Sequence, residues 1–276
     1  MRMRERATVE LIDAGDGRRL ERFGERVVDR PAAAATEPRR AWEAWSTTDL
    51  RFEAGRGWSG RSPIEPWQVE LGGLTFELRP MPSGGVGLFP EQAANVPWLE
   101  ARVAARARAA EPPRILNLFA HTGLLTLAAA RAGASVVHVD ASRPAVAWAR
   151  RNAELSGLDE RPIRWLVDDA AAFVAREGRR ARHYDGLILD PPSFGRAGAR
   201  RWRLLEDLPD LLAACASIVT HEAFVLLTAH TTGVTGPELA NLAAAALGGP
   251  AFGVEPLRLD ADTGARLELA VAIRRG

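Results

Sequence analysis

The stretch YDGLILDPPSF, Tyr184 to Phe194, decides how this chain reads. Leu187, Ile188 and Leu189 make an apolar run of the kind that becomes a strand buried on both faces. The run stops at Asp190, then come Pro191 and Pro192, which lack backbone N–H groups, and after Ser193 an aromatic, Phe194. A sheet that needed only to turn could use Asn-Gly or Gly-Gly. Two successive prolines instead fix their own φ angles and push the preceding residues into extended geometry. Asp190 and the Pro191 carbonyl are therefore expected to stand rigidly at the strand's end, with Phe194 available to stack on a planar partner.

Around this strand the pattern alternates. ILNLF, SVVHVD, IRWLV, FVLLTAH and VEPLRLD read as further strands. Between them GLLTLAAARAG, SRPAVAWARRNAELSG, DAAAFVAREG, LEDLPDLLAACASIV and GPELANLAAAALGG read as helices, preceded by EQAANVPWLEARVAARARAA. Ser142 is placed as an N-cap, with Pro144 in the first turn and Gly157 past the end. Alternation of this kind implies parallel strands joined by right-handed crossovers. The last run, RLELAVAIRR, follows VEPLRLD after only ADTGA, too short for a crossover helix, so it must return antiparallel. The fold class is α/β: a doubly wound, mostly parallel seven-stranded sheet. Before Pro80 the texture differs. VELID, LERF and VVD are short strands, and QVEL and LTFEL flank Gly72-Gly73 as a hairpin. Trp42, Trp45, Trp58 and Trp67 crowd this half, chiefly as core for a domain short of aliphatics. The expected division is a small β-rich domain over residues 1–80 and the α/β domain over 81–276.

In open parallel sheets ligands sit at the carboxyl ends of the strands. Those ends carry Phe119-Ala120-His121-Thr122-Gly123, then Asp140 with Ser142 beyond it, then Asp168-Asp169-Ala170, then Asp190. Gly123 allows a tight turn and a helix N-terminus close to an anionic group. Asp140 can accept from both hydroxyls of a ribose, and Asp169 from an exocyclic amine of adenine, with the Ala170 N–H meeting a ring nitrogen. A lone strand-end aspartate is as readily an N-cap; four polar strand ends in succession on one rim point to a nucleoside-bearing cofactor. The dinucleotide fingerprint G-x-G-x-x-G is absent, which disfavours a nicotinamide oxidoreductase. A nucleoside without phosphates fits, and S-adenosyl-L-methionine is the common one.

NLFAHTG, VHVDAS, RRNAELSGL, VDDAAAF and YDGLILDPPSF together resemble the first four motifs of class I S-adenosylmethionine-dependent methyltransferases. The likeness is greatest to bacterial large-subunit rRNA methyltransferases of the cytosine-C5 and guanine-N7 type, and runs from about Gly84 to His230. The resemblance implies that Phe119 to Gly123 hold the methionine moiety, Asp140 the ribose, and Asp169 with Ala170 the adenine. It also implies that Phe89, in GGVGLFPEQ, covers the cofactor, and that Asp190, Pro191 and Phe194 lie where donor meets acceptor. His121 stands where relatives often have an aromatic, and reads as a residue that shapes its loop.

One departure carries chemistry. Cytosine C5 is not nucleophilic alone, so transfer to it needs a cysteine thiolate, which such relatives carry just after the fifth strand. Here that region is LLTAHTTG, without a thiol, and the single cysteine, Cys215, falls on the apolar stripe of a helix. C5 chemistry is disfavoured; transfer to a ring nitrogen such as guanine N7, which uses a lone pair, is not, while methylation of an exocyclic amine usually goes with an aromatic directly after the second proline, where Ser193 stands here. A substrate clue follows the DPPSF loop in GRAGARRWR, where Arg196, Arg200, Arg201 and Arg203 could grip RNA phosphates while Trp202 stacks on a base. Arg102, Arg106 and Arg108 could extend that patch.

Bulk properties narrow the rest. The 276 residues are 47% hydrophobic and 26% charged, with a net charge of +1, so there is no overall basic field. No lysine occurs, which excludes Schiff-base lysine chemistry and a P-loop. The scattered histidines and single cysteine give no metal site. No segment approaches a membrane span, and MRMRERATVE lacks the apolar run of a secretory signal. A cytoplasmic methyltransferase is expected, its acceptor a base in rRNA. The rivals are a methyltransferase for a small molecule or protein, and an RNA-binding module that keeps the pocket but catalyses nothing.

Overall fold

The computed structural model describes residues 9–106, 111–197 and 200–276, with backbone only for Arg196, Ala197 and Arg200. The chain forms two compact units, 1–93 with 258–269 and 94–257 with 270–276.

The first unit contains β1 (Val9–Gly15), β2 (Arg18–Phe23), β3 (Arg26–Pro31), the short helix α1 (Trp42–Trp45), β4 (Leu50–Glu53) and β5 (Gly57–Gly60). These strands make a five-stranded sheet in sequential order, with β3 and β4 parallel. A separate hairpin pairs β6 (Trp67–Leu71) with β7 (Leu74–Leu78) across Gly72-Gly73. Asp13, fully buried, holds α1 in place: its carboxylate accepts from the backbone N–H groups of Arg40 and Ala41 and from Trp45 Nε1 at 2.8 Å. Of the four tryptophans assigned to this core, Trp45 is buried, Trp58 and Trp67 are half-buried, and Trp42 is 64% exposed.

The second unit is the α/β body. After a 3₁₀ turn, Pro90–Asn95, come α2 (Val96–Arg106), β8 (Arg114–Leu118), α3 (Leu124–Arg131), β9 (Ser135–Asp140), α4 (Arg143–Leu155) and β10 (Ile163–Val167). They are followed by α5 (Ala170–Arg179), β11 (Tyr184–Leu189), β12 (Phe194–Ala197), β13 (Arg200–Arg203), α6 (Leu204–Ala216) and β14 (Val219–Ala229). The chain closes with α7 (Gly236–Leu247), β15 (Gly253–Asp260) and β16 (Arg266–Arg275), of which residues 258–269 fall in the first unit. The sheet order is β10-β9-β8-β11-β14-β16-β15, parallel from β10 to β14, with β16 antiparallel to β14. This is the doubly wound seven-stranded sheet that the alternating pattern predicts. Ser142 caps α4 by accepting from the Ala145 N–H, as the sequence indicates.

The central strands are buried because helices cover both faces: Leu187, Ile188 and Leu189 are fully inaccessible, as are Leu116 and Leu118. Gly186 within β11 is there for closeness. A Cβ would lie 2.3 Å from the Phe224 ring, so any side chain would displace that ring from the core. The strand order reverses between β8 and β11, opening a crevice at their carboxyl ends. That is where the loops FAHTG and DPPSF emerge side by side.

One expectation is corrected. Within GRAGARRWR β12 and β13 pair antiparallel, Phe194 opposite Arg203 and Gly195 opposite Trp202. Strand alternation turns Trp202 inward, where it is buried, so its indole is not available to stack on a base.

Candidate active site

The floor of the crevice is the turn after β8. Phe119 and His121 both have positive φ (55° and 46°), a conformation that costs a residue with a side chain about 1–2 kcal/mol. Surrounding bonds hold them there. The Ala120 N–H donates to the Val139 carbonyl, the His121 N–H to Asp140 Oδ2 at 2.8 Å, and Asn152 Nδ2 to the Thr122 carbonyl at 2.9 Å. Gly123 follows at φ 95°, where a Cβ would also press on Ala149 Cβ at 3.1 Å. It begins α3 without a side-chain cap. The first-turn N–H groups of α3 are thus left to a ligand or solvent, and the helix dipole favours an anion there.

The three carboxylate-bearing strand ends are used differently. Asp140 is a brace: besides His121 it takes the Ser142 N–H on Oδ1 at 2.8 Å, tying the first turn to the start of α4. Asp169 is the N-cap of α5, accepting from Ala172 at 2.8 Å, and Ala170 opens that helix. Asp168 accepts the Asp169 N–H and pairs with Arg176, while its own N–H reaches the Asp140 carbonyl.

Asp190 closes the crevice. Its N–H donates to the Leu118 carbonyl at 3.4 Å, which sets β8 and β11 level at their ends. Thr228 Oγ1 donates to Asp190 Oδ1 at 2.5 Å, and His230 Nε2 lies 3.3 Å from the same oxygen. Burial opposes charge on this carboxyl. The His230 ring, the hydrogen bonds from His230 and Thr228, and the charge of His121 together outweigh burial and hold Asp190 below the usual carboxylate range. His121 is shifted down as well, by burial above all, against the opposing pull of Asp140 and Asp190.

Above the floor, Trp202 Nε1 donates to the Pro192 carbonyl at 2.7 Å and its ring meets Phe119 at 4.9 Å. Trp202 therefore anchors the DPPSF loop to the FAHTG turn. Pro191 is buried, and Phe194, on the opposite face of the hairpin, is 77% exposed beside it. Arg201 and Arg203 are exposed; Arg203 pairs with Glu206 at 2.8 Å. The side chains of Arg196 and Arg200 lie outside what is described, as does Arg108. Arg102 and Arg106 donate instead to the carbonyls of Gly276 and Glu222. Phe89 belongs to the first unit, where it is partly exposed.

Sequence reasoning passed over Asn152, Thr228 and His230 as site residues. Thr228 sits within the apolar run of β14, and a polar side chain there is a usable signal, since burial requires it to find a partner; Asn152, directly after Arg150 and Arg151, gives none. Cys215 is fully buried in α6, and burial pushes its thiol up to about 12. Among the described residues no three His, Cys, Asp or Glu side chains gather as a metal site, and no helix is long and apolar enough to cross a membrane.

A doubly wound sheet with an uncapped helix N-terminus after its first strand and a rim of carboxylates is the architecture of Rossmann-like methyltransferases. The chain belongs to the S-adenosylmethionine-dependent methyltransferase family, whose pattern matches residues 13–239. It is 34% identical to a crystallised SAM-dependent methyltransferase from Agrobacterium tumefaciens, with a TM-score of 0.90 over 96% of this chain and 89% of that one. A methyltransferase from Streptococcus mutans, 15% identical, shares the fold with a TM-score of 0.77 over 97% of this chain and 74% of that one. Among curated relatives, ribosomal RNA large subunit methyltransferase I of Aeromonas salmonicida is 30% identical over 142 residues, 51% of this chain and 34% of that protein. The protein of that name from Escherichia coli is 31% identical over 150 residues, 51% of this chain and 35% of its own. The match thus spans about a third of the length of these relatives.

Proposed function

We propose that this enzyme methylates a base of ribosomal RNA by direct in-line displacement, with no cysteine nucleophile, in the cytoplasm. The observation that carries the reading is a hydrogen-bonded carboxylate, Asp190, at the crevice end of β11, followed four residues on by an exposed aromatic, Phe194. The donor's sulfonium supplies a methyl group already activated toward a nucleophile. The protein's task is then to position, which can supply much of the rate of such a reaction.

The crevice fits the donor chemically. The free N–H groups at the start of α3 suit its carboxylate, Asp140 its ribose hydroxyls, and Asp169 with the Ala170 N–H its adenine edge. Asp190 and the Pro191 carbonyl would orient the acceptor, and Phe194 would stack on its ring. A base must be splayed out of its helix to reach such a pocket, and an exposed ring is what receives it. Arg201 and Arg203, exposed on the hairpin, would meet phosphates. Support for an RNA acceptor comes from the names of the curated relatives, and support for a non-covalent route from the burial of Cys215. The small β-rich domain is taken to help recognise RNA.

The deciding experiment is nucleoside mass spectrometry of rRNA and tRNA from cells with and without the gene. One methylated nucleoside should vanish from rRNA and return with the wild-type gene, but not with Asp190→Ala. If no RNA nucleoside changes while a protein or small molecule loses a methyl group, the acceptor assignment is wrong.

A further inference from the structure

The margin of the second unit formed by α4, β10 and α5 is more basic than the rest of the chain. Residues 141–183 hold nine arginines against six carboxylates, while the whole chain has 36 against 35, so the remainder is net acidic. Elsewhere in this unit arginines are engaged: Arg131 pairs with Glu100, Arg203 with Glu206, and Arg274 donates to Asn95. Along the margin Arg143, Arg150, Arg161, Arg164, Arg179 and Arg182 are all exposed, and none makes an ion pair or side-chain hydrogen bond among the described residues. Their order in space follows from the topology. α4 starts at the crevice rim, where Asp140 takes the Ser142 N–H, and packs on β9 and β10 as it runs toward the opposite end of the sheet. Arg143 and Arg150 are two turns apart and so share one face of α4, about 10 Å from one to the other. Arg161 lies in the turn leading to β10, and Arg164 on β10 itself, the edge of the sheet. Trp165 faces His138, so strand alternation turns Arg164 to the other face, where Leu166 joins the core of α5 and the charge of Arg164 reaches Glu177. Arg179 ends α5, and Arg182, just beyond, acts on the same glutamate. Glu177 is buried and already matched by Arg180. The exposed carboxylates on this path are Glu154, which Arg151 pairs, and Asp159 and Glu160 beside Arg161.

We propose that these six arginines form a phosphate track for the RNA strand flanking the methylated base, leading from the crevice down α4 and around the β10 edge to the end of α5. This rests on the RNA reading above and adds the path the RNA takes beyond the hairpin arginines. A base held in the crevice fixes one point of the strand, and the backbone beside it must then lie on the protein's surface, where phosphates follow positive charge. Exposed guanidinium groups without a carboxylate of their own keep their donors for phosphate oxygens, which they can grip bidentately. β10 and β11 are five and six residues long, so from rim to opposite end the path covers on the order of 20 Å, room for several successive phosphates. Such contacts position the RNA and carry no sequence information. An anionic lipid surface would also be attracted to this charge, yet it does not account for a track that begins at the rim where the acceptor enters.

The test uses the full chain with Arg150→Gln, Arg161→Gln, Arg164→Gln, Arg179→Gln and Arg182→Gln combined, and a second variant with the same five changed to Lys. Arg143 is left in place because it adjoins Ser142. Titration calorimetry with S-adenosylhomocysteine should give the wild-type affinity within about twofold in both, since the crevice is untouched. In filter binding of rRNA from cells lacking the gene, the Gln variant should lose roughly 3–4 units from the slope of log K against log salt, at about 0.7 per phosphate contact on a single strand. Methylation of the same rRNA should show a KM raised roughly tenfold or more with kcat unchanged, the mark of lost uniform binding. The Lys variant keeps the charges and should keep most of the slope. A Gln variant with wild-type slope and KM, or Gln and Lys variants equally impaired, would overturn the track while leaving the enzyme an rRNA methyltransferase. Lost binding to phosphatidylserine vesicles in the Gln variant, with rRNA binding unchanged, would overturn it in favour of a membrane. If the wild type methylates no RNA, the RNA reading falls and the track falls with it.

Discussion

His138 makes the second unit sensitive to acid in a way that can be calculated. It lies on β9, fully buried, with Nδ1 on Thr126 Oγ1 at 2.9 Å, and Thr126 in turn receives Asn117 Nδ2 at 2.8 Å. Its Nε2 has no hydrogen-bond partner and its ring packs on Trp165 at 4.8 Å. Burial, reinforced by His121 and Arg150, lowers its pKa to about 3. The unfolded chain carries an ordinary histidine near pH 6.5. Because the folded value lies below the unfolded one, His138 costs nothing above about pH 6.5. Below that, the unfolded state takes up a proton the folded state refuses, and stability falls by about 1.4 kcal/mol per pH unit until about pH 3. At pH 4.5, two units into this window, the loss is about 3 kcal/mol. Urea denaturation at pH 7.5 and 4.5 measures it, with His138→Leu as the comparison. The variant forfeits the Thr126 bond equally at both pH values, so the difference in slope isolates the proton. The expected outcome is an acid loss smaller by about 3 kcal/mol in His138→Leu. Equal losses in the two proteins, or a His138 Cε1 resonance that titrates near pH 6, would refute the argument.

Three further outcomes follow from the same geometry. Gly123→Ala places a side chain at φ 95° and against Ala149; the strain of about 1–2 kcal/mol should weaken S-adenosylhomocysteine binding roughly tenfold in calorimetry. Asp140→Ala strips the acceptor from the His121 and Ser142 N–H groups, each a charge-assisted bond of about 1.5–3 kcal/mol, and should lower both the melting midpoint and donor affinity. Unchanged binding would show that the brace does not matter. Cys215 in the folded chain should resist a thiol reagent at pH 8 and react only in denaturant, because burial holds the thiol up near 12; Cys215→Ala should keep methyl transfer.

The sheet could be read from the chain because its signals are local. An apolar run such as Leu187 to Leu189 can be buried only if covered on both faces, and Ser142, Pro144 and Gly157 mark helix ends through bonds made within one turn. The carboxylates at the strand ends were visible for the same reason. Each sits one position past a run whose direction the alternation of strands and helices already implies. Trp202 was misread because a tryptophan among arginines says nothing of which face of a hairpin points inward; the pairing of Gly195 with Trp202 decides that. Residues 258–269 give a similar lesson. They read as part of the last strands of the sheet, yet they fall in the first unit, where Ala265 and Leu267 pack with Leu11 and Ala14.

Composition and periodicity thus determined the class of fold, the positions of the strand ends and the residue types on offer there. Only the tertiary structure decided what each of those residues meets. Asp190 faces His230 and Thr228 across 38 to 40 positions because β11 and β14 are neighbours in the sheet. Asn152 reaches the Thr122 carbonyl across 30 because α4 packs against the first turn. Strand order is set by the burial of the whole core rather than by any segment, so contacts that depend on it are not written in the residues that make them.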